Sequence, residues 1–263
     1  MSTEATTLAR APRRLARLFT FAVAVVVAAL VLAATGWGSS SGPMIDVRVP
    51  VAHQEAGWRG AFVLPPWLKY QGRSLAGWQR EYFTWASLIP TDGPQPHPGL
   101  AEGHVDCTYA QRGHVWFLEL GRVERRCSIP FGKTLYVPAN FWACLPEADG
   151  VPFAECEAQG DPLLEDVVTT LTLDGRRIDL RAWRTETGRF RLKLADQNVW
   201  EAFFGFADLG RSTPFSSDGM AALVLLGPGR HTVVTGRTFD FDGDGTPETS
   251  TTSYEITVTR DED

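Results

Sequence analysis

At 263 residues and 44% apolar content the chain has room for one large or two small cored domains. Its N-terminal 38 residues carry four arginines and one glutamate, so the remainder holds 21 Lys+Arg against 30 Asp+Glu, a net charge of about −9. That balance excludes nucleic acid as a partner and disfavours docking onto anionic lipid.

The chain begins with Arg10, Arg13, Arg14 and Arg17, followed by an uncharged apolar run over residues 18–34 and small residues at Ala34, Gly36 and Gly38. This is the pattern of a secretory signal peptide. At about 17 residues the run also reaches the lower limit for spanning a hydrocarbon core. Residues 1–38 are therefore read as a signal peptide or an N-terminal membrane anchor, with the arginines inside the cell either way. Residues 39–44 make a flexible spacer, and a single exported domain occupies 45–263. Membrane contact is expected only through the N-terminal segment.

Within that domain, residues 74–89 place apolar side chains at helical spacing, with Ser74 as N-cap and Pro90 as stop. A Pro-rich loop follows over residues 91–99. Residues 115–120 (Val-Trp-Phe-Leu-Glu-Leu) and 134–137 read as strands, and Asp161-Pro162 as the start of a short helix. Asp174-Gly175 centres a hairpin over residues 171–180. Residues 190–194, 220–226, 231–239 and 253–259 complete a strand-rich second half. The fold class is mainly β with minor α: a β-sandwich, immunoglobulin- or jelly-roll-like, with short helical and loop insertions near its N-terminal end.

Cys107, Cys127, Cys144 and Cys156 all lie in the exported part, and an even count in an oxidising compartment implies two disulfides. Three connectivities exist; sequential pairing, Cys107 with Cys127 and Cys144 with Cys156, closes the shortest loops. Zinc is disfavoured because no Cys-x2-Cys spacing occurs.

The segment Phe239-Asp-Phe-Asp-Gly-Asp-Gly-Thr-Pro-Glu248 places acids at loop positions 1, 3, 5 and 9 with glycine at 6. Alternating carboxylates around a tight turn deliver several oxygens to one point, as calcium requires. Asp240, Asp242, Asp244 and Glu248, with the Thr246 carbonyl, are the expected ligands of a structural Ca2+ at a hairpin tip spanning 240–248. A solvated Asp-Gly turn is the plainer reading. Strand-like flanks and Thr251 at position 12 separate this loop from the helix-flanked EF-hand. It resembles instead the nine-residue calcium loops of β-hairpins in integrin-type propellers.

Catalytic signals are sparse. Glu81 and Glu119 are acids in apolar surroundings, the condition that raises a carboxylate pKa for acid/base work, and a pair of them suits a glycan- or envelope-directed hydrolase. The bland reading has Glu119 facing outward on its strand or paired with Arg122, Arg125 or Arg126. No Gly-x-Ser-x-Gly elbow or His-Glu-x-x-His helix occurs. His97, His104, Asp106 and His114 crowd one loop region at spacings that match no ligand pair. Nine tryptophans raise a carbohydrate surface, with Trp58, Trp67, Trp142 and Trp183 as exposed candidates and Trp85 and Trp116 assigned to the core.

Five segments carry a resemblance to a family of uncharacterised exported proteins of bacteria and archaea, over roughly residues 78–259. They are Trp85-Ala-Ser-Leu-Ile-Pro90; Val115-Trp-Phe-Leu118; Arg126-Cys-Ser-Ile-Pro-Phe-Gly-Lys-Thr-Leu-Tyr-Val-Pro138; Leu173-Asp-Gly175; and Gly229-Arg-His-Thr-Val233. The resemblance implies export, a β-rich body and pairing of Cys107 with Cys127, and no established activity. Gly229-Arg-His231-Thr also resembles the penultimate-strand pattern of bacterial immunoglobulin-like domains, which implies a structural role for His231. The functional expectation is a secreted or surface-anchored binding or adhesion module for a carbohydrate or other cell-surface ligand, with the hydrolase as the alternative.

Overall fold

The computed structural model describes residues 60–101, 106–120, 124–206, 209–239 and 246–260. The N-terminal segment, Trp58, His104, Arg122, Asp240, Asp242 and Asp244 lie outside them. Among the described residues no helix is long and apolar enough to cross a membrane.

Two mixed sheets stack face to face. The first has the order β1 (Ala61–Val63), β9 (Ser212–Leu226), β4 (Thr134–Cys144), β2 (Val115–Phe117), with β7 (Arg184–Glu186) and β8 (Phe190–Lys193) also paired to β9. The second has the order β3 (Glu124–Pro130), β11 (Glu248–Thr259), β10 (Gly229–Phe239), β5 (Val168–Leu173), β6 (Arg176–Asp179). The pairs β2/β4 and β3/β11 are parallel and the rest antiparallel.

Alternation decides what each face touches. Leu135, Val137 and Ala139 of β4 and Met220, Ala222 and Val224 of β9 meet Ile129, Leu171, Val233, Ile256 and Val258 of the second sheet in one core. Tyr136, Ala221 and Leu223 point the other way, into a second core under helix α1 (Leu75–Leu88) and helix α4 (Val199–Phe204), which supply Tyr82, Phe83 and Trp200. The sandwich thus carries a third, helical layer on one sheet. As expected, Ser74 caps α1, its hydroxyl accepting from Gly77 N–H at 3.2 Å.

Several boundaries differ from the sequence reading: β2 stops at Phe117, β11 starts at Glu248, and β3 has no counterpart in it. Strand β4 extends to Cys144 and β9 begins at Ser212, because a sheet covered on both faces stays buried well past its apolar runs. Asp161-Pro162 starts nothing: it lies inside helix α3 (Phe153–Asp166), which follows the one-turn helix α2 (Pro146–Asp149). Tertiary contacts override the proline signal there, since Cys156 is bonded to Cys144, Trp142 Nε1 donates to Cys156 O at 2.9 Å, and Gly160 lies against the Trp142 ring.

All four cysteines are paired, Cys107 with Cys127 and Cys144 with Cys156, at Cα separations of 5.5 and 5.8 Å. Bridges over loops of this length contribute on the order of 3 kcal/mol each and fit an oxidising, extracytoplasmic environment. The Asp174-Gly175 hairpin joins β5 to β6 with both residues at positive φ, 49° and 78°, the two-residue turn that Asp-Gly favours. The last hairpin pairs β10 with β11 from Gly229↔Val258 out to Phe239↔Glu248, so the acidic segment joins two long strands.

Candidate functional site

Two concavities meet at Cys107. The larger is an open trough of about 770 Å3 across the solvent face of β3, β11 and β10, walled by Asp106–Thr108 on one side and by the Asp174 turn on the other. Register builds its floor. Arg126, Glu255 and Thr232 stand in one cross-strand row, and Ser128, Thr257 and Arg230 in the next. Arg126 Nε pairs with Glu255 Oε2 at 2.9 Å. Asp174 rims the trough in a fixed pose, its Oδ1 accepting from Thr232 N–H at 2.8 Å and its Oδ2 facing His231 Nδ1 at 2.7 Å. His231 Nε2 lies 2.8 Å from Gly227 O, so this buried ring ties the turn to the β9–β10 connection.

Behind the Cys107 wall lies a cavity of about 10 Å3, room for about one water, lined by Glu119, Arg125, Tyr254, Trp85 and the 106–111 segment. Here the structure decides between the two readings of Glu119, in favour of the buried acid over the outward-facing one. Val115, Phe117 and Glu119 share the helix side of the first sheet while Trp116 and Leu118 face the second sheet, and with both sides covered there is no outward face. Glu119 is 7% exposed. Its Oε2 accepts from Tyr82 Oη at 2.7 Å and from Leu120 N–H at 3.2 Å. Burial pushes its carboxyl up to about 7 from 4.5, although Tyr82, Arg125 and the Leu120 amide pull the other way.

Neighbouring groups complete this buried network. Tyr254 Oη donates to Glu119 O at 2.7 Å and accepts from Glu119 N–H at 3.1 Å and from Arg125 Nη1 at 3.4 Å. Arg125, inward-facing beside Tyr254 on β3, donates through Nη2 to Pro98 O at 2.6 Å. His97 is a satisfied core histidine: Nδ1 accepts from Gly99 N–H at 3.0 Å, Nε2 donates to Ala86 O at 2.9 Å, and burial lowers its pKa. Burial raises the Tyr82 phenol, and that of Tyr254 to about 12, so both stay neutral donors.

The two candidate acids are not brought together. Glu81 is no buried carboxylate: it is half-exposed on α1 in an ion pair with Arg73, and it lines neither concavity. Glu119 has the pKa of a general acid and a chamber too small for a substrate. Among the described residues no three His, Cys, Asp or Glu converge, and His104 of the histidine loop region lies outside them. Of the aromatic candidates, Trp67 is 82% exposed, whereas Trp142 and Trp183 are half-buried and donate to Cys156 O and Leu64 O, each at 2.9 Å. Trp116 is core, and Trp85 is half-buried with its Nε1 on Ala110 O. Thr246 and Glu248 are exposed at the end of the last hairpin.

No protein-family model matches the chain, and no curated protein does. Among solved structures, the solution structure of amebosin aligns with 56% of this chain and 100% of its own at 10% identity. Its TM-score of 0.18 is too low to bear on fold or function.

Proposed function

We propose that the chain is an exported, calcium-stabilised β-sandwich acting as a binding or adhesion module, with a carbohydrate or other cell-surface ligand seated in the trough across β3, β11 and β10. The observation that carries this reading is where the open volume lies: on a sheet face floored by Arg126, Ser128, Arg230, Thr232, Glu255 and Thr257, with the buried acid walled off behind it. Hydroxyls and guanidinium groups on a rigid sheet recognise polar ligands without reacting with them. Two disulfides and the basic-then-apolar N-terminus support export.

The test is a glycan array probed with the disulfide-intact protein. Retained glycans should be lost on Arg230→Ala combined with Ser128→Trp, which removes a donor and fills the floor, with affinity down at least about tenfold. A blank array removes the glycan reading.

Calcium is proposed at the β10–β11 tip, held by Asp240, Asp242, Asp244, Glu248 and the Thr246 carbonyl. The ion would screen the mutual repulsion of three alternating aspartates. EDTA should lower the melting temperature by several degrees and excess calcium restore it, as for any ligand bound only by the folded state. Asp242→Ala with Asp244→Ala should abolish that difference. An EDTA-insensitive wild type refutes the site.

A further inference from the structure

The trough's charges are unequally committed. Asp174 is held by Thr232 N–H and His231, and Asp106 Oδ1 accepts from the Thr108 N–H and hydroxyl at 2.9 and 2.7 Å. Glu255 is paired with Arg126, but that pair is 83% and 63% exposed, and an exposed pair of this kind is held weakly. Arg230, exposed at the end of the second row, has no ion-pair partner among the described residues. The groups with hydrogen-bonding capacity left for a ligand are therefore the two guanidiniums, the Glu255 carboxylate between them, and the hydroxyls of Ser128, Thr232 and Thr257.

Resting on the binding reading above, we infer that the trough takes an acidic polysaccharide, a chain of uronic-acid type whose carboxylates seat on Arg230 and Arg126. Guanidinium forks match carboxylates in a bidentate fashion, and the strand hydroxyls match sugar hydroxyls. The two arginines are two strands and two residues apart, roughly 12 Å between Cα atoms from strand spacing and rise. That is farther than one sugar ring spans, so the ligand is an oligomer. Glu255 stands between the two cations and accepts from a sugar hydroxyl. A polymer that alternates carboxylates with hydroxyl donors fits this plus-minus-plus floor. Polyphosphate, which has no hydroxyl donors along its chain, leaves the Glu255 carboxylate between the two arginines unmatched.

The experiment compares polygalacturonate and alginate with their carboxyl-reduced, neutral counterparts by calorimetry on the disulfide-intact protein. The acidic chains should bind and the neutral ones fall at least about tenfold weaker. Arg230→Gln should cost the same factor and Arg230→Lys less, because the point charge remains. Lys193→Gln, the same loss of charge on exposed β8 outside the trough, should change nothing. If neutral chains bind equally and Arg230→Gln still weakens them, the acidic assignment is wrong while the binding reading stands. If neither class binds and the glycan array is blank, both fail.

Discussion

Glu119→Gln is expected to make the protein more stable than wild type above pH 7, by on the order of 3 kcal/mol, and to leave the two nearly equal below about pH 4.5. The sign follows from linkage. The Glu119 carboxyl titrates near 7 when folded and at its ordinary 4.5 when unfolded, so between those values the folded state holds a proton that the unfolded chain has released. Stability contributed by this group is therefore fully present below about 4.5 and is lost as pH rises through 7. Glutamine keeps the same shape, and its amide oxygen can take the Tyr82 and Leu120 donors that Oε2 now accepts. It cannot ionise, so the loss disappears. His97 works in the opposite direction: burial holds its pKa below 6.5, so its contribution is lost as pH falls through that region. Subtracting the wild-type curve from the variant's removes the His97 contribution and isolates the carboxyl. Urea melts at pH 4.5, 6, 7 and 8 measure the difference; parallel curves for the two proteins would mean that Glu119 titrates normally and is wetter than its 7% exposure implies.

How much of this was legible follows from how many faces of each element are dry. The second sheet has one wet face, and the alternation along β10 and β11 spells that out; β3 alternates too, Arg125, Cys127 and Ile129 inward against Glu124, Arg126 and Ser128 outward, although residues 124–130 receive no strand in the sequence reading. The Asp-Gly turn, the Ser74 cap and the sequential disulfides are local or short-range and are read directly. The first sheet is dry on both faces, so its strands lose the alternation and their polar ends look like loops. Ser216, Ser217 and Asp218 continue β9 only because Glu157, Gln79 and Arg184 reach them from other elements. For the same reason Glu119 carries two readings in the sequence, a buried acid and an outward-facing one, since an acid after a strand can be either until a helix is known to cover that side. The trough floor had no motif to find. Residues 126, 128, 230, 232, 255 and 257 are ordinary outward strand positions, united by the β10–β11 hairpin and by the parallel pairing of β3 with β11, the second of which no local pattern encodes.

Gly219→Ala is expected to cost about 3 kcal/mol or more, a large part of the 5–15 kcal/mol that holds a domain of ordinary stability. Gly219 sits in β9 between Phe141 of β4 and Thr185 of β7, beside the register shift between Pro138 and Asn140. A methyl group there would lie 2.4 Å from Asn140 O and 2.7 Å from Phe141 Cα. Those atoms belong to a neighbouring strand, so relief requires β4 and β9 to move apart, and this is the central pair onto which both cores pack. Gly236→Ala is the control. Its added methyl would meet only the Thr170 hydroxyl, at 3.2 Å, on the solvent face of the second sheet, and a hydroxyl can rotate away. Both substitutions remove the backbone freedom of a glycine from the unfolded chain to the same degree, so the gap between them measures the clash alone. Denaturant melts with the disulfides intact should place Gly236→Ala within about 1 kcal/mol of wild type and Gly219→Ala far below it. Equal behaviour of the two would mean that β4 and β9 are not as close at the bulge as the fold requires.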